Sequence, residues 1–142
     1  MSATGYRSFD TTVQKTDAIL KEIEQEFGWP KERRNQSYAA LRATLHALRD
    51  RLTVEEAAQF SAQLTMLVRG IYFEGWDPTG KPETMGLEEF LEAVRKEFTF
   101  ELDGDIDLVP QAVFLALSRN VDEGEWSDVK STMPKKLASL LP

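Results

Sequence analysis

The stretch LRATLHALRDRLTVEEAAQFSAQLTMLVRGIY, residues 41–72, constrains the fold most tightly. Leu41, Leu45, Leu48 and Leu52 recur at helical spacing before a hinge. Ala57, Phe60, Leu64, Val68 and Ile71 do so after it. Both patterns follow the helical period rather than the alternation of a strand. At the hinge, Thr53 precedes Glu56 by three, the spacing of a reciprocal capping box. Two apolar stripes joined by so short a connection are expected to close on each other as an antiparallel pair.

The same reading extends along the chain. A first helix is expected over 9–27, with Phe9, Val13, Leu20, Ile23 and Phe27 inward, Ser8 as its cap and Gly28 with Pro30 as its stop. Asn35 is expected to cap a second helix over about 36–51, followed by a third over about 54–73. Residues 74–86 hold three glycines and two prolines, the clearest break in the chain. Beyond it, the spacing predicts a fourth helix over about 87–99. A fifth, capped by Asp107, should run to Arg119, and a sixth should start at Asp122 and break at Pro134.

The two halves match. At a shift of 71, Ile19, Leu20, Ile23 and Phe27 fall on Phe90, Leu91, Val94 and Phe98. At a shift of 69, Thr53 and Glu56 fall on Asp122 and Glu125, and Phe60, Leu64, Val68 and Ile71 on Val129, Met133, Leu137 and Leu140. Apolar positions meet apolar positions and caps meet caps, as a duplication requires. The expected fold is therefore all-α: a bundle of about six helices in two pseudo-symmetric three-helix repeats, about 9–73 and 87–141, within a single domain over 1–142.

Composition narrows the chemistry. The chain has no cysteine, which removes disulfides, thiolate metal sites and cysteine nucleophiles. Its net charge of −7 opposes nucleic-acid phosphates and anionic lipid, so neither is an expected partner. No apolar run approaches the ~20 residues that span a bilayer, and no basic segment leads into an apolar one near residue 1. A cytoplasmic protein is expected.

The run ALRDRLTVEEAAQFSAQLTMLVRGIYFEGW, with the later AVFLALSRNVDEGEW and MPKKLASLLP, resembles the bacterial family designated domain of unknown function 2267. The resemblance covers about residues 9–141 and rests on Arg51-Leu52, Gln63-Leu64, Arg69-Gly70, Gly75-Trp76 and Gly124-Glu125. Members of that family often carry proline after Gln-Leu; here Thr65 stands there, and the proline occurs only in the second half, as Pro134. The resemblance implies a soluble, all-helical bacterial protein and no particular activity.

Two places are candidate contact sites. Arg42, His46 and Arg49, with Tyr38 one turn earlier, form a basic stripe about 100° around the second helix from its leucines. The stripe is a solvated flank, or else it takes an anion or an acidic partner. Tyr72, Phe73 and Trp76 form an aromatic cluster that either seals the seam between halves or serves as a binding patch. Arg69 on the same turn is placed to pair with an acidic side chain. Asp103, Asp105 and Asp107 alternate like the opening of a calcium loop, but the sixth and twelfth positions hold Leu108 and Phe114, so no metal is expected. His46 is the only histidine and no serine is placed beside it by local spacing, so no catalytic residue and no cofactor are assigned. The leading expectation is a non-enzymatic interaction or scaffold module binding a protein partner. A small-anion or ligand binder using the basic stripe comes second and an enzyme last; no oligomeric state is assigned.

Overall fold

The computed structural model describes residues 4–83 and 85–142, with the backbone only of residue 132. Among them are seven α-helices, two 3-10 segments and no strand. Helix α1 is Arg7–Phe27; a 3-10 turn, Lys31–Arg33, leads into α2, Arg34–Arg51. Then come α3, Val54–Ser61, and α4, Met66–Phe73. The second half holds α5, Leu87–Glu97, α6, Leu108–Arg119, α7, Glu123–Thr132, and a 3-10 segment, Lys135–Leu140. The chain is all-α. No described helix is long and apolar enough to cross a membrane.

Helix α2 is the centre. It packs against α1, α4, α5 and α6, and its Leu41, Leu45 and Leu48 are wholly enclosed. Ala40, Ala43 and Ala47 keep its other faces thin enough for neighbours to approach. Each half's first helix lies on the other half's second: α1 on α6 and α5 on α2. Helices α2 and α6 also touch each other, as do α3 and α7. One apolar cluster runs through both halves, from Ile19 to Leu140.

The helix starts divide into local and non-local cases. Thr53 accepts the Glu56 N–H at 3.1 Å, and the Glu56 carboxylate accepts the Thr53 N–H at 3.0 Å, completing the capping box. Asp122 accepts the Glu125 N–H at 2.7 Å. Gly28 ends α1 in the left-handed region (φ 69°), where the Trp29 N–H reaches the Glu24 carbonyl at 2.9 Å. Ser8, Asn35 and Asp107 do not act as expected. Ser8 lies inside α1, whose start is tied instead by the Thr4 N–H and hydroxyl, both donating to Asp10 Oδ1 at 2.8 and 2.6 Å. Asn35 lies inside α2, because the preceding 3-10 turn already winds the chain. Asp107 precedes α6 with helical backbone angles and no side-chain cap bond.

The expected third helix is two helices. Residues 62–65 interrupt it, and Thr65 is extended at φ −69°, ψ 163°. Pro134, 69 residues on, is extended in the same way at φ −59°, ψ 138° and opens the last 3-10 segment. Arg69 stabilises the first break. Its Nε donates to the Ser61 carbonyl and its guanidinium Nη2 to the Leu64 carbonyl, both at 3.0 Å. Carbonyls orphaned at the end of α3 thereby gain donors, and Arg69 is not the partner of an acidic side chain that its position suggested. The linker 74–86 lies along the end of α2, where Arg51 donates to the Met85 carbonyl at 2.7 Å and the Glu83 N–H to the Asp50 carbonyl at 2.8 Å.

Phe9 and Val13, expected inward, are exposed. Helix α1 has 21 residues and its partner α6 has 12. At 1.5 Å per residue α1 is longer than α6 by roughly 13 Å, so its first turns run past α6.

Two variants test this local physics. Thr53→Ala is expected to destabilise the chain by about 1 kcal/mol in urea unfolding, through loss of the α3 cap. Thr65→Pro is expected to stabilise it by about 0.4–1 kcal/mol. The φ there already suits proline, the Thr65 N–H has no acceptor among the described residues, and the buried hydroxyl has no partner.

Candidate functional site

The basic stripe of α2 faces inward. His46 is 5% exposed and Arg49 7%. What they meet is the C-terminal end of α4, where carbonyls no longer have intrahelical donors and the helix dipole is negative. His46 Nε2 lies 2.8 Å from the Ile71 carbonyl oxygen. Arg49 Nη1 donates to the carbonyls of Tyr72 at 2.9 Å and Glu74 at 2.6 Å. Its Nε donates to Asp50 at 3.2 Å.

Helix α5 supplies the counter-charge. Glu97 Oε1 stands 2.7 Å from His46 Nδ1 and accepts from Arg42 Nε at 3.1 Å. Arg42 Nη2 reaches Glu74 Oε1 at 2.6 Å. Burial resists charge on Glu97, but the bonds from His46 and Arg42 outweigh it and hold the carboxyl below its ordinary range. Arg42, His46 and Arg49 thus meet three carboxylates, Asp50, Glu74 and Glu97. The stripe is not a solvated flank. It clasps α4 and α5 to α2, and an anion at these side chains would compete with Glu74 and Glu97.

The aromatic cluster also turns inward. Tyr72 is wholly buried, and its hydroxyl donates to the Ala57 carbonyl at 3.0 Å. Burial pushes that phenol well above its ordinary pKa. Its ring lies 5.3 Å from Phe60 and 4.8 Å from Phe73, and Phe73 lies 5.1 Å from Trp76. Phe73 and Trp76 are half-buried against the core.

The apolar surface lies elsewhere. A groove runs between the overhanging half of α1 and the outer face of α4. Phe9 and Val13 form one wall, Met66 and Leu67 the other, and Tyr38 stands beside them from α2. Phe9 is 49% exposed and Met66 55%. Thr12 fixes the distance between the walls, because its hydroxyl accepts the Leu67 N–H at 2.9 Å and so caps α4 from another helix. Gly70 lies between the walls, and a Cβ built there would meet nothing within 4 Å. Packing within the chain therefore does not require glycine at this mid-helix position, where it costs about 0.8–1 kcal/mol relative to alanine.

A model of one protein family, described as uncharacterised conserved proteins (DUF2267), matches residues 16–140. The chain belongs to the DUF2267 family. No curated protein matches it. The DUF2267 match starts just after Val13, so it includes the α2 and α4 sides of the groove and leaves out Phe9 and Val13. Of the residues singled out in the sequence, the fold gathers Arg42, His46 and Arg49 around α4 and places Tyr38 beside the groove. It sets Tyr72, Phe73 and Trp76 against the core. The groove was not legible in the sequence, where Phe9 and Val13 have the helical spacing of buried residues.

Exposure separates the arginines. Arg49→Ala leaves the buried Tyr72 carbonyl and the partly buried Glu74 carbonyl without their donor and is expected to cost about 3 kcal/mol. Arg42→Ala acts at a partly solvated pair and is expected to cost about 1 kcal/mol or less. Urea unfolding of both variants, with m compared against the parent, checks the ranking.

Proposed function

We propose that this DUF2267 chain is a non-enzymatic interaction module that takes a helix of a partner protein into the groove between α1 and α4. One observation carries the reading. Among the described residues, eight large apolar side chains are exposed, and five of them, Phe9, Val13, Tyr38, Met66 and Leu67, line this groove. A sixth, Tyr6, packs on Phe9 at 4.9 Å. The remaining two, Val54 and Leu108, belong to other helices. Scattered apolar residues are ordinary on a surface, whereas a gathered patch marks an interaction site.

The shape favours a helix as occupant. Two helical walls present side chains at helical spacing, and an amphipathic helix fills such a space with residues at i, i+3 or i+4, and i+7. Gly70 lets the incoming backbone approach α4, and Met66 is a side chain that adapts to different surfaces. Glu74, paired with Arg42, stands at the groove's end, on a chain of net charge −7. The matching partner carries basic residues beside its apolar face. We read the module as cytoplasmic and its halves as duplicated helical units within one domain, the third helix of each broken, at Thr65 and at Pro134. The crossed packing of α1 on α6 and α5 on α2 and the paired caps at Thr53 and Asp122 support the duplication.

The test uses synthetic amphipathic helices with leucine at i, i+3 and i+7 and lysine flanks, added to the 15N-labelled chain. Amide shifts concentrated at Thr12, Leu67 and Gly70 are expected. Affinity should fall at least tenfold in Phe9→Ser/Met66→Glu, while unfolding free energy stays within about 0.5 kcal/mol per exposed site. Shifts elsewhere, or equal affinity in the double variant, would overturn the reading. So would concentration-dependent dimerisation of the chain alone that buries α1 and α4.

A further inference from the structure

We infer that His46 is a proton-dependent clasp on the end of α4: it holds the Ile71 carbonyl only while both ring nitrogens carry hydrogen. The argument is an inventory of donors. A neutral imidazole offers one donor and one acceptor, and a protonated ring offers two donors. Nε2 faces a backbone carbonyl at 2.8 Å, which can only accept. Nδ1 faces Glu97 Oε1 at 2.7 Å, and the same oxygen accepts from Arg42 Nε at 3.1 Å. Burial raises that carboxyl, and the bonds from His46 and Arg42 outweigh it, so it lies below the ordinary range and accepts.

When the ring loses a proton, one contact must fail. Hydrogen bonds to a charged acceptor are the stronger, so the remaining hydrogen stays at Nδ1 with Glu97. Nε2 then turns a lone pair toward the Ile71 carbonyl. That carbonyl keeps only the long Glu74 N–H contact at 3.3 Å. The charged groups around the ring are Arg42, Arg49 and Asp50 on α2, Glu97 on α5 and Glu74 after α4. Lys81 and Glu83 of the linker stand by Asp50. The other neighbours of α2 do not engage it: Asp17 and Glu24 of α1 pair with Arg34, and Arg119 of α6 faces Glu22 and Glu26. The clasp is complete while the ring is doubly protonated and loses one bond when it is not.

Ile71 and Gly70 line the groove. The functional consequence, which rests on the proposed helix-binding reading, is that the groove takes its partner best while His46 is doubly protonated.

As the only histidine, His46 gives one unambiguous pair of ring 15N signals. Between pH 5 and 8, both nitrogens are expected to show one-bond N–H coupling at the acid end, with Nε2 losing it as pH rises. The amides of Tyr72, Phe73 and Glu74 should titrate at the same midpoint and exchange with solvent severalfold faster above it. In His46→Gln these amides should show no such midpoint, and Glu97→Gln provides a second variant if that one fails to fold. A ring with a single N–H throughout, or amides that ignore its titration, would overturn the clasp. The lysine-flanked helix should bind severalfold more weakly above the midpoint and without that dependence in His46→Gln. Affinity that stays level while the amides titrate would overturn the coupling to the groove. If no helix binds at any pH while the amides still titrate, the helix-binding reading fails and the clasp on α4 stands.

Discussion

A helix largely enclosed by other helices has little wet surface on which to leave its polar side chains. Helix α2 is in that position from Ala40 to Arg49, where only Arg42 is partly exposed, and much of the architecture follows from how its polar groups find partners inside. Ser37 donates to Glu24 of α1 at 2.6 Å, while Arg34 donates to Glu24 and Asp17. Burial raises the Glu24 carboxyl, yet the bonds from Arg34 and Ser37 bring it below its ordinary range. One turn after another along α2, Arg42, His46 and Arg49 answer the Glu97 carboxylate of α5 and the open carbonyls at the end of α4. The apolar stripe gives cohesion, and these directional contacts fix which helix lies where.

The end of α4 shows why both kinds of contact are needed. A helix of eight residues is too short to be stable alone. Its start is capped by Thr12 of α1 and its end by His46 and Arg49 of α2. Arg69, within α4, returns to close the carbonyls of α3. The break at Thr65 is therefore supported from both sides. It turns α4 so that Val68, Ile71 and Tyr72 reach the core, while Met66 and Leu67 remain outside to wall the groove.

Features written in adjacent residues were legible. Thr53 with Glu56, Asp122 with Glu125, and Gly28 after Phe27 complete their bonds within a few positions, so spacing suffices to find them. Ser8, Asn35 and Asp107 carry the same residue chemistry and do not cap. Asp10 and a 3-10 turn organise the first two starts by other means, and Asp107 itself has helical backbone angles. Thr65 was harder than Pro134, because proline announces the loss of a donor and threonine does not.

By itself, the sequence determined the helical class, the apolar stripes and the strongest caps, because each arises from contacts within a turn or two. Tertiary structure alone decided that a basic stripe became an internal clasp. A helical wheel gives the angle of Arg42, His46 and Arg49 but not that α4 and α5 cover it. Tertiary structure likewise decided that Phe9 and Val13, spaced like buried residues, stand in the open. Burial of a stripe depends on whether a neighbouring helix is long enough to reach it, and α1 outruns α6.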